Sequence, residues 1–483
     1  MPRYPRPVPT RVDFTHLDRL LGDRSFGQAL PIAEAATRAA PRDGRGWLAL
    51  ARAAFGLGRL SVADDAVDRA MRLGLSGPEG QLLRAVIDHR LARSEAAVVR
   101  LRTLVRAKAP NAVDATLALA EVLHRARRHD ELAELVAAGG PWTADPRAVI
   151  FTARVEARTD PAGTADRLEA FARGTQPAMA RRIAGFDAVR MLDAAGQFRR
   201  AFELATHLHS STGSPFDVDG LMADAEAQLT WLGRLSRPPT PRAAATHGIA
   251  LVVGAPRSGT TLLEQMLDRH PAISGIGEYD GIHTLGQQCV AAGVWPDQWA
   301  GLDHASAAAM QQAYRSGASI IQRPGTPWTF DKSLHTWRWL PAVAAVLPGA
   351  ACLRIQRSAR DTAISLYLSN FHPQSFGWTR SLESIRAVLA KERQLAPAAL
   401  HALGIPHQDF RYEDLVDRPA DVIERCLTTM GLPMDPAVLA PESNARTVLT
   451  LSHEQVRRPI NRSSVDRWRN YAWAFGAEWD ALD

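Results

Sequence analysis

The chain has 483 residues, comfortable for two domains, with 46% hydrophobic and 22% charged residues, the balance of a soluble globular protein able to bury a core. Its 57 basic and 51 acidic residues leave a net charge of +6, which suits anionic ligands but falls far short of a nucleic-acid-binding footprint, so no nucleic-acid partner is expected. Cys289, Cys352 and Cys426 match no metal spacing and read as isolated buried thiols of a reducing compartment.

The N-terminal "MPRYPRPVPTRVDF" has no apolar core of signal-peptide length. No window approaches the ~18–20 apolar residues of a membrane span, and a cytoplasmic location is expected. Residues 15–235 are rich in Ala, Leu and Arg at helical spacing and contain internal similarity. "WLALARAAFGLGRLSVADDAV" from Trp47 overlays "TLALAEVLHRARRHDELAELV" from Thr116, 69 residues on. Leu48, Leu50, Ala51, Ala63 and Ala66 then fall on Leu117, Leu119, Ala120, Leu132 and Leu135. A weaker copy starts at Gln81, and Gly196 stands 138 residues after Gly58. The unit of about 34 residues is that of tetratricopeptide helix pairs, and the region resembles a divergent tetratricopeptide-like solenoid. Such a solenoid presents a groove to a peptide or partner, or braces a neighbouring domain; a generic helical domain with accidental periodicity is the bland alternative.

"SRPPTPRAAATHG", residues 236–248, breaks the pattern and reads as a Pro-rich linker. From 249 to 483 the pattern is that of a parallel α/β domain, so the predicted fold class is α followed by α/β. "GIALVVG" reads as a strand, followed by a helix from Thr261 to about His270. "LPAVAAVLPG" and "AACLRIQR" read as helix, turn and buried strand, with a helix from Asp361 to about Ser369. "IPHQDFRYEDLV" holds another strand and "ADVIERCLTTMGL" another helix.

The junction "VVGAPRSGTTLLEQMLDRHP" is P-loop-like, running from strand through a Gly/Pro/Ser turn into a helix. Free N–H groups and the dipole at a helix N-terminus bind a phosphate-like anion. Gly259 permits close backbone approach, and Ser258, Thr260 and Thr261 bring hydroxyls. Where a Walker loop carries its lysine the chain has Thr260, and the loop's cation is Arg257, whose planar guanidinium can grip a tetrahedral anion. The loop therefore binds an anion and need not recruit a metal.

"PRSGTTLLEQMLDRHP" followed by "GIGEYDGI" resembles the phosphosulfate loop of sulfotransferases that use 3′-phosphoadenylyl sulfate (PAPS), and more narrowly is similar to the protein-tyrosine sulfotransferase branch and its bacterial relatives that carry tetratricopeptide repeats. The resemblance runs in ordered blocks over most of residues 249–470. In "IQRSARDTAISLYLSNF", Arg357 and Ser365 match the arginine and serine that hold the nucleotide 3′-phosphate. Tyr412 of "DFRYEDLV" matches a tyrosine near the nucleotide. Ser452 matches a serine facing the sulfuryl and phosphate oxygens, and Arg467 a basic 3′-phosphate contact. The resemblance further implies Glu278 as general base, Lys332 of "FDKSLHTW" aimed at the bridging oxygen, and Arg257 steadying the 5′-phosphosulfate, with no metal. Three departures stand out: "DKSLHT" lacks the family's Pro and Asn, "RSAR" lacks its proline, and "GEYDGI" differs around the glutamate. "HPQSFGWTR" and Trp295, Trp299, Trp328, Trp337 and Trp339 read as ordinary core, with an acceptor cleft as the alternative.

The implied function is PAPS-dependent transfer of a sulfuryl group to a hydroxyl, foremost a tyrosine of a peptide or protein delivered by the repeats. A small-molecule or glycan hydroxyl is the alternative acceptor. A non-catalytic repeat scaffold with a relict nucleotide site is opposed by the presence of both Glu278 and Lys332, and a P-loop kinase by Thr260. Nothing in the sequence indicates an oligomeric state.

Overall fold

The computed structural model describes residues 13–23, 25–213, 216–373, 375–444 and 459–482. The chain forms two compact units, residues 1–151 and 152–483.

The first unit is helical: α1 (Phe14–Gly22), α2 (Phe26–Ala39), α3 (Gly44–Gly56), α4 (Leu60–Arg72), α5 (Pro78–Arg90), α6 (Ser94–Arg106), α7 (Ala112–Arg125) and α8 (His129–Ala138). The helices pack as consecutive hairpins, α3 on α4 and α5 on α6, and α3, α5 and α7 begin 34 residues apart each time. Ala51, Ala53, Ala63, Ala66 and Ala70 are buried where α3 meets α4; their small side chains let the helix axes come close. Three overlaid pairs lie wholly in the core, Leu50 with Leu119, Ala51 with Ala120 and Ala63 with Leu132, whereas buried Leu117 and Ala66 have half-buried counterparts in Leu48 and Leu135. The period also appears in polar contacts, each spanning 33 residues: Asn111 to the Pro78 carbonyl (2.8 Å), Arg128 to Glu95 (3.1 Å) and Arg147 to Asp114 (2.8 Å).

Within each hairpin the turn needs one residue at positive φ just past the first helix: Gly58 (76°), Ala92 (60°) and Arg127 (59°). Glycine adopts this geometry freely, whereas an L-residue there is strained by about 1 kcal/mol. Ala92→Gly is therefore expected to stabilise the protein by up to about 0.5 kcal/mol once the added chain entropy is subtracted. A urea midpoint that falls would show that the strain is absent.

The helix α9 (Ala148–Glu156) crosses the division, and the second unit continues with α10 (Pro161–Arg173), α11 (Ala178–Ala194), α12 (Phe198–Thr212) and α13 (Val218–Leu232). Segment 236–248 has no helix or strand up to its last residue. It is hydrogen-bonded along the unit, from Arg242 N–H to the Ala345 carbonyl (2.8 Å) and from Thr246 N–H to that of Pro348 (2.7 Å).

Five parallel strands follow: β1 (Ile249–Val253), β2 (Ile273–Gly277), β3 (Trp328–Asp331), β4 (Ala351–Gln356) and β5 (His407–Arg411), in the order β2-β3-β1-β4-β5. Every residue of β1 is buried, as expected of an apolar strand covered on both faces. Helices α14 (Thr260–Leu267), α15 (Gly281–Ala291), α16 (His304–Ile321), α17 (Leu340–Val346), α18 (Ala359–Tyr367), α19 (Leu382–Ala402), α20 (Tyr412–Asp417) and α21 (Pro419–Met430) intervene or follow. Leu263, Met266, Phe330, Leu353, Ile355, Leu415, Ile423 and Leu427 form the core against the sheet. The loop helix starts one residue before the predicted Thr261 and ends at Leu267, and α18 begins at Ala359 rather than Asp361. β3, α16 and α19 have no counterpart in the sequence reading. β3 is four residues long and α19 contains Pro397, so neither shows a clean period.

Candidate active site

In a parallel sheet the C-terminal strand ends share one edge, and a ligand crevice opens where the strand order changes direction. Here that point is β1, flanked by β3 and β4. The register pairs Leu251 with Asp331, Gly277 with Asp331, Val253 with Arg354 and Gln356 with Arg411. The residues just past the strands therefore gather at one edge: Glu278, Lys332, the loop 254–259, Arg357 and Tyr412.

The loop turns into α14 at Gly259, the N-cap, with φ of 103°. A side chain there would be strained, and its Cβ would lie 2.3 Å from Tyr412 Cδ2, so Tyr412 packs directly against the loop. Arg257 also has positive φ (69°). Ser258 donates to the Ala255 carbonyl (2.7 Å) and braces the loop from inside. Thr260 and Thr261 occupy the first turn of α14, where backbone N–H groups have no partner within the helix.

Arg257 Nε donates to Ser365 Oγ (2.8 Å), joining the loop to α18. Burial, then the neighbouring Arg357, push the Arg257 guanidinium down to about 10, with Tyr412 and Glu278 acting the other way. Arg357 donates to the Arg257 carbonyl (2.9 Å) and to that of Ser464, and stacks over Tyr412 at 5.0 Å. Its buried Nε meets no hydrogen-bond partner among the described residues.

On the other side of the loop, Lys332 Nζ lies 2.6 Å from Glu278 Oε1. The lysine side chain is 0% exposed and the glutamate 44%, so a buried ammonium meets a carboxylate open to solvent. The "DKSLHT" turn holds its lysine without the expected proline. Asp331 accepts from Ser333 N–H (2.9 Å), Ser333 Oγ (2.7 Å) and Tyr314 O–H (2.7 Å), Thr336 Oγ1 donates to the Ser333 carbonyl (2.8 Å), and Lys332 N–H reaches the Gly277 carbonyl (3.0 Å). Burial raises Asp331 to about 7 against these hydrogen bonds.

Residues 250–436 match the Sulfotransferase family. That stretch is similar to sulfotransferases and holds the loop, Glu278, Lys332, Arg357 and Tyr412. An uncharacterized protein of Aquifex aeolicus is 28% identical over 46% of this chain and 30% of its own length. Nodulation protein NoeE of Sinorhizobium fredii is 26% identical over 47% of this chain and 59% of its own. Protein-tyrosine sulfotransferase 1 of Danio rerio is 25% identical over 46% of this chain and 65% of its own. The chain thus spans less than two thirds of each of these relatives.

In the second unit the structure brings Arg257, Ser258, Gly259, Thr260, Thr261, Arg357, Ser365 and Tyr412 together around the loop, with Glu278 and Lys332 paired beside it. Ser452 lies outside the described residues. Arg467 pairs with Asp193, the penultimate residue of α11, which also accepts from Tyr471 O–H (2.6 Å). Sequence reasoning missed Arg393, which donates to the Arg357 carbonyl (2.6 Å), and Glu413, which accepts from Ser358 N–H (2.9 Å). It also missed Asp361, which accepts from Asp466 N–H and Trp468 N–H, both at 2.8 Å. The i,i+4 spacing of Arg357 and Asp361 was a local clue to one of these; the others come from remote elements. Trp299, Trp337 and Trp339 are buried, and Phe376 of "HPQSFGWTR" stacks on His335 at 4.6 Å, where burial pushes the imidazole down to about 3. The three cysteines are buried thiols. Among the described residues there is no group of side chains suited to a metal ion and no helix long and apolar enough to cross a membrane.

Proposed function

We propose that the protein is a PAPS-dependent sulfotransferase acting on an acceptor hydroxyl, foremost a tyrosine of a peptide or protein. The observation that carries this reading is the Lys332–Glu278 pair at 2.6 Å on the same sheet edge as the anion loop. The residues suit a phosphosulfate nucleotide. The buried Arg357 Nε, without a partner among the described residues, leaves a donor for a phosphate oxygen, and an anion beside Arg257 would reverse the depression that burial imposes on its guanidinium.

The N–H groups at the start of α14, with Thr260, Thr261 and Arg257, hold the 5′-phosphosulfate; Arg357 and Ser365 hold the 3′-phosphate. Glu278 takes the proton of the acceptor hydroxyl as its oxygen bonds to sulfur. Lys332 meets the negative charge that develops on the bridging oxygen as the sulfur–oxygen bond to phosphate breaks. Adenosine 3′,5′-bisphosphate then leaves with that oxygen, and the proton stays on Glu278 until solvent removes it. A sulfuryl group carries less charge than a phosphoryl group, so these side chains suffice without a metal. The choice of tyrosine is supported by the protein-tyrosine sulfotransferases among the relatives. The 34-residue helix-pair period supports a tetratricopeptide-like first unit suited to a peptide partner.

Calorimetry with adenosine 3′,5′-bisphosphate and with ATP–Mg²⁺ tests the nucleotide: the bisphosphate is expected to bind at least about tenfold tighter, about 1.4 kcal/mol. Preference for ATP–Mg²⁺ would overturn the reading. Radiolabelled PAPS added to a cell extract tests the acceptor, and label entering only small molecules rules out the peptide.

A further inference from the structure

The C-terminal turn 464–468 is held at the nucleotide site by a carboxylate on which nothing above depends. Asp361, on the first turn of α18 and 1% exposed, accepts from Asp466 N–H through Oδ2 and from Trp468 N–H through Oδ1, both at 2.8 Å. An acidic residue at this position ordinarily serves its own helix terminus. Here both oxygens reach donors more than 100 residues away. The same oxygen, Oδ2, lies 3.8 Å from Arg357, whose guanidinium donates to the Ser464 carbonyl of that turn. One carboxylate and one guanidinium thus grip the turn's donors and its acceptor.

The turn has a second anchor. Asp466 reverses the chain at φ of 60°, and Arg467, lying between the two N–H donors, sends its guanidinium to Asp193. Tyr471 donates its hydroxyl to the same carboxylate and packs edge-on against Phe198 of α12 at 5.3 Å. Helix α12 also meets α18 itself: His209 Nε2 contacts the Tyr367 carbonyl (2.8 Å) and Thr206 the Tyr367 hydroxyl (2.7 Å). The hairpin α11–α12 therefore supports both partners of the Asp361 contact, the turn and the helix that presents Ser365.

We propose that Asp361 is a positioning residue of the 3′-phosphate site, holding Arg357 and the turn 464–468 in register, with Asp193 as its second anchor. The inference rests on the assignment of Arg357 and Ser365 to the 3′-phosphate. Two N–H groups donated to a buried carboxylate form strong, directional bonds. With Arg357 NH1 and NH2 committed to two carbonyls, its remaining Nε faces a fixed direction. Without Asp361 the turn loses two of its holds, and Arg357 keeps its charge but not its aim.

The test compares adenosine 3′,5′-bisphosphate with adenosine 5′-phosphate on the full chain, by calorimetry. In Asp361→Asn the advantage of the bisphosphate is expected to shrink about tenfold, while the 5′-phosphate binds within about threefold of the unaltered protein. A merely structural role would weaken both ligands alike, and that result, or no change in either, overturns the proposal. In a second arm, trypsin cleavage after Arg467 and Arg469 without nucleotide is expected to accelerate about tenfold in Asp361→Asn. If the unaltered protein shows no preference for the bisphosphate, the nucleotide assignment fails, and the trypsin arm alone judges the clamp: unchanged cleavage refutes it. Should Asp361→Asn not fold, Asp193→Asn serves in both arms, with the same direction and the same refuting results.

Discussion

Lys332→Ala is expected to lower the single-turnover rate of sulfuryl transfer about 10²–10³-fold while adenosine 3′,5′-bisphosphate binds within about threefold of its normal affinity. The asymmetry follows from when the ammonium acts. Little charge stands on the bridging oxygen in the bound substrate, and most appears as the sulfur–oxygen bond breaks, so the interaction is made mainly in the transition state. The variant should fold, because the partner left behind, Glu278, is 44% exposed and can be hydrated. Glu278→Gln is expected to cost about 10²–10⁴-fold in rate, again with near-normal nucleotide binding. The two groups touch at 2.6 Å, so the double variant should lose less than the product of the single losses. A Lys332→Ala enzyme within a few-fold of the normal rate would reduce the pair to a structural salt bridge and remove the main support for the proposed chemistry.

Arg84→Ala is expected to cost about 3 kcal/mol of stability. Arg84 is 4% exposed on α5 and bonds Asp88 (2.6 Å), Asp64 and Asp68 (2.9 Å). Burial alone would lower its pKa, but the hydrogen bonds it donates to Asp88 and Asp64 outweigh this and hold it above its ordinary value. Asp88, 5% exposed, keeps only Arg100 (3.3 Å) and Arg93 (3.5 Å), both more than one third exposed, when Arg84 is removed. The cost is therefore that of an under-compensated buried carboxylate and sits at the low end of the range for broken buried pairs. Arg84→Met combined with Asp88→Leu removes the charge with its partner and should recover most of the loss. Urea denaturation of the three variants checks this, and a double variant as unstable as Arg84→Ala would mean that packing, not charge, is at stake.

The candidate site was legible wherever its chemistry is written in consecutive residues. "GAPRSGTT" follows an apolar strand and opens a helix, so the strand–loop–helix junction and the close approach at Gly259 could be read directly, with the helix start misplaced by one residue. The same holds for the 34-residue repeat, whose alanines occupy equivalent buried positions because each hairpin solves one packing problem. β3 and α19 were not legible, since four residues show no period and Pro397 interrupts one. Arg467 marks another boundary. Resemblance assigns it to the phosphate, whereas the structure gives its guanidinium Asp193 on α11, a partner no local pattern announces.

By itself the sequence determined the order of helical repeats and α/β domain, the anion loop and the residue types at each strand end, because these depend on local backbone preference and periodicity. Only the tertiary structure decided that Glu278 and Lys332 meet at 2.6 Å, that Arg257 reaches Ser365, and that Asp361 holds a turn more than 100 residues away. Those contacts depend on the parallel register that aligns β2, β3, β1 and β4 at one edge. Register is a property of packed strands, and strand pairing is set by burial across the whole sheet rather than by any one segment.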